Sequence, residues 1–280
     1  MKIFDLHNDF LTEIKSEKAK KRFLFSKKSQ IVETICSAVW TSKMNAELAL
    51  ENIEKAYDFI EKINENEKDK KANLLLSVED LHFVSKYNIE RVINANPVSA
   101  TLTWNFNNNL AGGAVEGGDM TLLGLEIAEK LEKNNIFVDT AHLSEKSFMT
   151  FAKMTQKPIL CSHANVFGLT ENQRNLKDYQ LQMIKESGGL VGVCMVSDFL
   201  SKNKKATIGD VARHIDYIAS RFGTEMCALG TDFFGTKKLP KFVKDYSSLS
   251  LLEDRLRFMG YDTKTIEDIF YNNAKKFFKV

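Results

Sequence analysis

The chain has 280 residues, of which 44% are hydrophobic and 27% charged, a composition typical of a soluble globular protein with a sizeable core. Its 39 basic and 37 acidic residues leave a formal net charge of +2, which gives no overall signal for nucleic-acid binding. No apolar run approaches the roughly 20 residues that span a bilayer. The N-terminal segment, interrupted by Asp5 and His7, does not read as a signal peptide. We therefore expect a cytoplasmic protein with no membrane or nucleic-acid partner.

Two local basic runs, Lys18–Lys28 and Lys68–Lys71, are flanked or interrupted by acids. This favours a solvated helix face or loop over a site for polyanions. The four cysteines lie far apart, each inside an apolar run: Cys36, Cys161, Cys194 and Cys227. Such a pattern is typical of buried free thiols, and it does not fit a disulfide framework or a zinc site of the CxxC type.

Short β-rich runs alternate along the chain with longer amphipathic stretches, which predict strands and helices. The predicted strands are Lys2–Phe4, Ile31–Trp40, Asn73–Val78, Val98–Thr103, Ile136–Asp139, Pro158–Ser162, Gly189–Val196 and Met226–Gly230. The predicted helices are Ala46–Asn64, Leu122–Asn134, Asp178–Ser187, Asp210–Phe222, Ser247–Met259 and Ile266–Phe278. This alternation predicts an α/β fold, and eight strands over this length favour a (β/α)8 TIM-like barrel that forms one domain over residues 1–280. A doubly wound open sheet uses similar units and is the alternative.

Acids and histidines lie where the predicted strands end. They include His7, Asp9, Glu79, His142, His163 and Asp232. In a barrel all strands point their C-terminal ends to the same face, so these side chains are predicted to converge on one mouth. Each of them alone could be a satisfied polar residue or a helix cap. Together they would repel one another or stay desolvated unless a cation held them, which predicts a pair of divalent metal ions.

The spacing of His7 and Asp9 supports this prediction, because side chains at i and i+2 of a strand point the same way and can share one ion. Two histidines from other strands would hold a second ion, and a carboxylate could bridge the two. Asp5 and Asp139 are interpreted as supports that orient the ligands. His82, in a Leu-His-Phe context, and His214, on an amphipathic helix, are interpreted as structural.

With these residues placed, the chain resembles the renal or membrane dipeptidase family, the peptidase family M19 of the amidohydrolase-like barrels. The family's motifs have counterparts, in order, in DLHND at residues 5–9, SVE at 77–79, DTAHLS at 139–144, CSHA at 161–164, RN at 174–175 and GTDF at 230–233. Each motif alone is weak, but six in the same order make the resemblance specific.

The resemblance implies a binuclear zinc hydrolase that cleaves dipeptides or similar small amides with a hydroxide that bridges the two metals. It implies that His7 and Asp9 hold one zinc ion and that His142 and His163 hold the other. Glu79 would bridge the two ions. A homodimer is also what the family suggests.

The resemblance further implies that Asp232 takes a proton and delivers it to the leaving amine, and that Arg174 binds the substrate carboxylate. A surface position on the loop 170–178 is the alternative for Arg174. Trp104 departs from the family, whose L-T-H segment carries at this position a histidine that contacts the substrate. Because an indole cannot accept or shuttle a proton, hydrolysis of another small amide, lactone or ester is an alternative. A catalytically idle barrel that binds a metabolite is a further one.

Overall fold

The computed structural model describes residues 1–14, 32–65, 72–203 and 205–280, so the predicted basic runs Lys18–Lys28 and Lys68–Lys71 lie outside the described residues. The strands are β1 Ile3–Asn8, β2 Val32–Trp40, β3 Asn73–Glu79, β4 Ser99–Thr101, β5 Phe137–Asp139, β6 Leu160–Ala164, β7 Leu190–Val193 and β8 Cys227–Leu229. They form a closed barrel in chain order, and each neighbouring pair is parallel. This confirms the predicted (β/α)8 fold and excludes the open sheet.

Helices connect the strands and bury one apolar face. They are α1 Ala46–Glu65, α2 Ile89–Asn94, α3 Leu122–Lys133, α4 Glu145–Met154, α5 Asp178–Glu186, α6 Ser197–Leu200, α7 Ile208–Phe222, α8 Ser250–Phe258, α9 Thr263–Glu267 and α10 Asn273–Phe278. The helix predicted over Ile266–Phe278 is confirmed, and it contains a π-helical turn at Asp268–Asn272 between α9 and α10. Three-residue to four-residue 3-10 turns lie at Phe10–Glu13, Thr224–Met226 and Tyr246–Leu249.

The interior of the barrel is filled by apolar side chains from several strands. Phe4, Cys36, Leu160 and Leu190 belong to one cluster, although β2 and β6 stand on opposite sides of the closed barrel. Such residues can meet only inside the barrel, so it is a packed core and not a pore. A larger cluster joins the outer faces of the strands to the helices.

The N-terminal end of the barrel is closed by α10. Phe278 stacks on Phe4 with ring centroids 5.7 Å apart, and Phe277 lies 4.6 Å from Phe137 at the start of β5. The polar strand ends therefore open only at the opposite face, which we call the mouth.

All four cysteines are buried and free, as predicted. Among the described residues, no helix combines the length and the apolar character that crossing a membrane requires.

Candidate active site

The six acids and histidines that end the predicted strands come together at the mouth. Three of them, His7, Glu79 and His163, lie within their strands β1, β3 and β6. The others lie one to three residues after the ends of β1, β5 and β8. All but Asp232, which is partly buried, are almost fully buried. Burying so many ionisable groups costs free energy unless they are paired or bind a cation.

Glu79 is the centre of one group of donor atoms. Its Oε1 lies 2.8 Å from Nε2 of His142, 3.6 Å from Nε2 of His163 and 3.8 Å from Nε2 of His7. The two Nε2 atoms of His142 and His163 are 2.9 Å apart. Burial raises the pKa of Glu79, while the charges of His7 and Arg174 oppose the shift.

The tautomer of His142 indicates that a proton or a cation is needed between His142 and Glu79. Its Nδ1 lies 3.0 Å from Oδ1 of Asn105, and because an amide oxygen only accepts, Nδ1 must donate. Burial, followed by the charges of Arg174 and His7, lowers the pKa of His142 well below its usual range, so the ring is neutral. Its Nε2 lone pair then faces a carboxylate oxygen. Two acceptors at this distance need a proton or a cation between them, and the residues therefore fit a metal ion.

A second group consists of His7, Asp9 and Asp232, whose donor atoms lie within 4.8 Å of one another. Nε2 of His7 is buried 3.4 Å from Oδ2 of Asp9 and makes no well-aligned hydrogen bond among the described residues. Burial would lower the pKa of His7, but the nearby carboxylates outweigh it and raise the pKa to about 10.

The carboxyl groups of Asp9 and Asp232 lie close together, with ligand atoms within 4.8 Å of each other. Burial is the main cause that raises the pKa of both, and for Asp232, whose pKa is raised well above its usual value, the charge of Asp9 adds to it. Two carboxyl groups this close hold a proton or a cation between them.

The geometry does not divide the ligands into two separate sets in the way that the resemblance implies. His7 belongs to both groups, with Glu79 and His163 in one and with Asp9 and Asp232 in the other. Its ring also stacks on His163 at 3.8 Å between centroids. His142 completes the first group through its contacts with Glu79 and His163.

Asp5 and Asp139 support the site by accepting hydrogen bonds from backbone N–H and hydroxyl groups, and not from the imidazole rings. Asp5 accepts hydrogen bonds from the backbone N and the hydroxyl of Thr231, at 2.8 and 2.6 Å, and from the Tyr246 hydroxyl at 2.5 Å. Burial raises the pKa of Asp5 to about 6 against these hydrogen bonds. Asp139 accepts from the backbone N of Ala141 and of Ser162, each one residue before a site histidine.

The side chains that contact Nδ1 of His142 and Nδ1 of His163 were not predicted from the sequence. They are Asn105 on His142 and Ser162, whose Oγ lies 2.8 Å from Nδ1 of His163. Such contacts orient ligand rings and select their tautomers. Asn105 does follow a strand and Ser162 precedes a site histidine, but neither residue type points to metal chemistry without the fold.

Two of the site residues have left-handed backbones, which are costly for residues other than glycine. The φ angles are +70° at His142 and +59° at Asp232. Asp80 shares this feature at +74°, but its carboxylate turns away from the site and accepts from the backbone N of His82 and from Asn108.

The other two histidines lie outside the site, as predicted. Nε2 of His82 lies 3.0 Å from the Met44 carbonyl. His214 is fully buried on α7, where Nδ1 accepts from the backbone N of Val166 and Nε2 donates to the Leu200 carbonyl. Both make the contacts of structural side chains.

A cavity of about 480 Å³ opens over the metal-ligand candidates. Besides these candidates its lining includes Trp40, Trp104, Asn105, Arg174, Phe199 and Phe234. Arg174 is only 7% exposed, so the alternative of a surface position is wrong. Its guanidinium lies over the Phe199 ring, and its buried Nε has no hydrogen-bond partner in the described part of the chain. It can therefore accept a planar anion such as a carboxylate.

A set of imidazoles and carboxylates with metal-ligand spacing, at the C-terminal mouth of a closed (β/α)8 barrel, places the chain among the metal-dependent hydrolase barrels. Within this class, the sequence profile of the membrane dipeptidase family, peptidase family M19, matches residues 1–280. The chain belongs to this family.

Individual relatives are more distant. A protein of Klebsiella pneumoniae described as uncharacterised, in the pqqA 5′ region, is 31% identical over 171 residues, which span 60% of this chain and 63% of the relative. An uncharacterised dipeptidase of Schizosaccharomyces pombe is 33% identical over 187 residues, which span 63% of this chain and 45% of that protein. The chain thus matches less than two thirds of the length of either relative.

Among solved structures, a metallopeptidase from Rhodobacter sphaeroides, liganded with a phosphinate mimic of the dipeptide L-Ala-D-Ala, superposes with a TM-score of 0.88. The superposition covers 100% of this chain and 99% of that one, at 20% sequence identity. At this identity the similarity establishes a shared fold.

Proposed function

We propose that the chain is a binuclear zinc hydrolase that cleaves the amide bond of dipeptides or similar small amides. The main support is that three imidazoles and three carboxylates converge beneath one cavity that also contains a buried, incompletely paired arginine. Membership of the membrane dipeptidase family and the dipeptide mimic bound to the Rhodobacter sphaeroides metallopeptidase point to the same chemistry.

In this proposal the metal ligands are His7, Asp9, Glu79, His142 and His163, with Glu79 common to both ions. Nε2 of His7 lies 3.4 Å from Oδ2 of Asp9, and Nε2 of His142 lies 2.8 Å from Oε1 of Glu79, so both nitrogen atoms face carboxylate oxygens and fit metal ligation. Bound divalent ions would supply a water molecule of lowered pKa as nucleophile and would polarise the carbonyl group.

Asp232 moves the proton. Its raised pKa lets its carboxyl group accept a proton from the attacking water and release it to the leaving amine. Its carboxyl group lies within 4.8 Å of ligand atoms of His7 and Asp9, beside the proposed metal site. Arg174 binds the substrate carboxylate, because a guanidinium matches the two carboxylate oxygens and a buried one is already desolvated.

The number and identity of the ions, the location in the cytoplasm, the homodimer and the single domain over residues 1–280 stay predictions. Hydrolysis of another small amide, a lactone or an ester is the second candidate, since Trp104 lines the cavity and cannot exchange a proton.

The test is elemental analysis of protein purified with zinc, together with a hydrolysis screen. The screen compares dipeptides, including those with a C-terminal D-residue, with N-acyl amino acids and lactones. We expect about two zinc ions per chain and chelator-sensitive hydrolysis of dipeptides. Zinc-free protein after this purification, or turnover of lactones alone, would contradict the proposal.

Arg174→Gln should raise KM for dipeptides more than it lowers kcat, because it removes a group that binds the carboxylate. The matched control is Arg213→Gln, since Arg213 pairs with Asp210 on the exposed side of α7. Equal KM values for the two variants would remove Arg174 from substrate binding.

A further inference from the structure

The two tryptophans of the chain, Trp40 and Trp104, both line the cavity above the proposed metal site. Trp40 is the last residue of β2, and Trp104 follows β4. Their rings pack edge to face, with centroids 5.4 Å apart and planes at 67°. This is the favoured geometry of an aromatic pair, and it makes the two rings one rigid surface, which we call the tryptophan wall.

One donor of the tryptophan wall has no partner. The indole N–H of Trp40 is buried and makes no hydrogen bond to any residue that the structure describes. Because this N–H is buried away from the cavity, the tryptophan wall offers a bound molecule the faces and edges of its rings and not a hydrogen bond from Trp40.

The tryptophan wall also lies close to the reacting centre. The ring of Trp104 is 6.0 Å from that of His142, which contacts Glu79. A group held against Trp104 is therefore a near neighbour of the bond to be cleaved.

The order of the strands places the tryptophan wall across the mouth from Arg174. In a closed barrel of eight strands, β2 and β4 stand opposite β6 and β8. Trp40 and Trp104 follow the first pair, and Arg174 lies in the segment after β6. A dipeptide whose carboxylate binds Arg174 and whose amide lies over Glu79 directs its other residue toward the tryptophan wall.

We propose that the tryptophan wall determines specificity and selects substrates that carry a flat apolar side chain on the acyl side, the residue that contributes the scissile carbonyl. This inference rests on the proposed function, which sets the direction of the substrate. Two indole rings exclude water from such a side chain and offer faces and edges for aromatic contact. A cationic side chain is disfavoured, because Nζ of Lys43 already lies 5.7 Å from the Trp40 ring centre.

The wild-type protein gives the first test. We would measure the binding of two phosphinate dipeptide mimics, Phe–Ala and Ala–Ala, through tryptophan fluorescence, which reports only on this cavity because both tryptophans line it. Burial of a phenyl ring should make the Phe–Ala mimic bind about 10- to 100-fold more tightly. Equal affinities would overturn the proposal without any variant having to fold.

Variants then assign the preference to the tryptophan wall. Trp104→Ala should reduce the affinity ratio to within about threefold, while Trp104→Phe should retain most of it, since a phenyl ring preserves aromatic contact. The matched control is Phe106→Ala: the Phe106 ring lies 6.2 Å from Trp104, yet Phe106 is half exposed and outside the cavity lining that the described residues form. A ratio that falls in Phe106→Ala and not in Trp104→Ala would overturn the proposal.

Binding of the two mimics and hydrolysis of dipeptides test the tryptophan wall and the proposed function separately. A protein that hydrolyses dipeptides with no acyl-side preference and binds both mimics equally refutes the tryptophan wall and leaves the proposed function. A protein that prefers the Phe–Ala mimic but hydrolyses no dipeptide refutes the proposed function and supports the wall as a binding surface.

Discussion

The two ends of the barrel are built on opposite principles. At the closed end, α10 packs phenylalanine rings against Phe4 and Phe137, and these rings make close aromatic contacts. At the mouth, one buried nitrogen atom each of His7, Trp40 and Arg174 makes no hydrogen bond among the described residues. Close apolar packing stabilises a fold, whereas unpaired buried donors destabilise it, so the closed end offsets what the mouth costs.

The carboxylates of the mouth show the same cost. Burial raises the pKa of Asp9, Glu79 and Asp232, which means that folding disfavours their ionised forms. Their ionisation at neutral pH therefore lowers the free energy of unfolding unless a cation compensates it. A site of this kind is retained for what it binds, and its stability comes from elsewhere in the barrel.

The largest effect is expected from a substitution at the mouth, which should lower kcat. Asp232→Asn should lower kcat by roughly 10²- to 10⁴-fold, because an amide cannot carry a proton. Zinc content should remain that of the wild type, as elemental analysis would show. The control is Asp198→Asn, since Asp198 pairs with Lys238 outside the cavity. Wild-type kcat in Asp232→Asn would remove this residue from the mechanism.

The next effect is expected at the closed end, in stability. Phe4→Ala should lower the free energy of unfolding by about 3–5 kcal/mol, because it leaves a cavity beneath the Phe278 ring. Urea unfolding measures this loss, and kcat per folded molecule should be unchanged. Phe258→Ala is the control, since Phe258 is 81% exposed and should matter by less than about 0.5 kcal/mol. A fall of kcat in folded Phe4→Ala would mean that the two ends are coupled.

The smallest effect is expected at His214, in the pH dependence of the free energy of unfolding. Burial lowers the pKa of His214 to about 4. In the unfolded chain a histidine titrates near 6.5, so between these values the unfolded state binds more protons, and stability falls as the pH drops from about 6.5 to 4. The loss should reach about 3 kcal/mol.

Urea unfolding at pH 7 and at pH 4.5 would measure this loss in the wild type and in His214→Gln. The variant cannot titrate at this position, so its pH-dependent loss should be smaller. Since Nδ1 of His214 accepts from Val166, in the segment that leads to Arg174, its protonation should also disturb that segment. An identical loss in both proteins would show that His214 does not contribute to the acid sensitivity.

The fold was predictable from sequence because strands buried on both faces are continuous apolar runs, bounded here by residues such as Pro158 and Gly189. The ends of these strands were less predictable. β4 stops at Thr101 and not at Thr103, since the Leu102 carbonyl accepts from Asn108. β7 stops at Val193, where the next residue pairs with Asn165. These side-chain contacts come from distant loops and leave no local pattern.

The candidate site was predictable where acids and histidines follow strands, which covers His7, Asp9, Glu79, His142, His163 and Asp232. The burial of Arg174 could not be read from its polar loop, because it depends on packing against Phe199. Trp40 was missed since a tryptophan at the end of an apolar run looks like a core residue. Only the closed barrel brings it beside Trp104.

The hydroxyl of Tyr246 connects the site to the order in which the chain is made. It donates a hydrogen bond to Asp5 and accepts one from Asn8, which lie 241 and 238 positions before it in the sequence. These two contacts hold the strand that carries His7. A ribosome releases His7 and Asp9 well before Tyr246, so their strand gains this support only after Tyr246 has emerged. Long-range contacts of this kind form late and slow the search for the native state. The growing chain thus carries His7 and Asp9, two of the proposed metal ligands, long before the mouth can form.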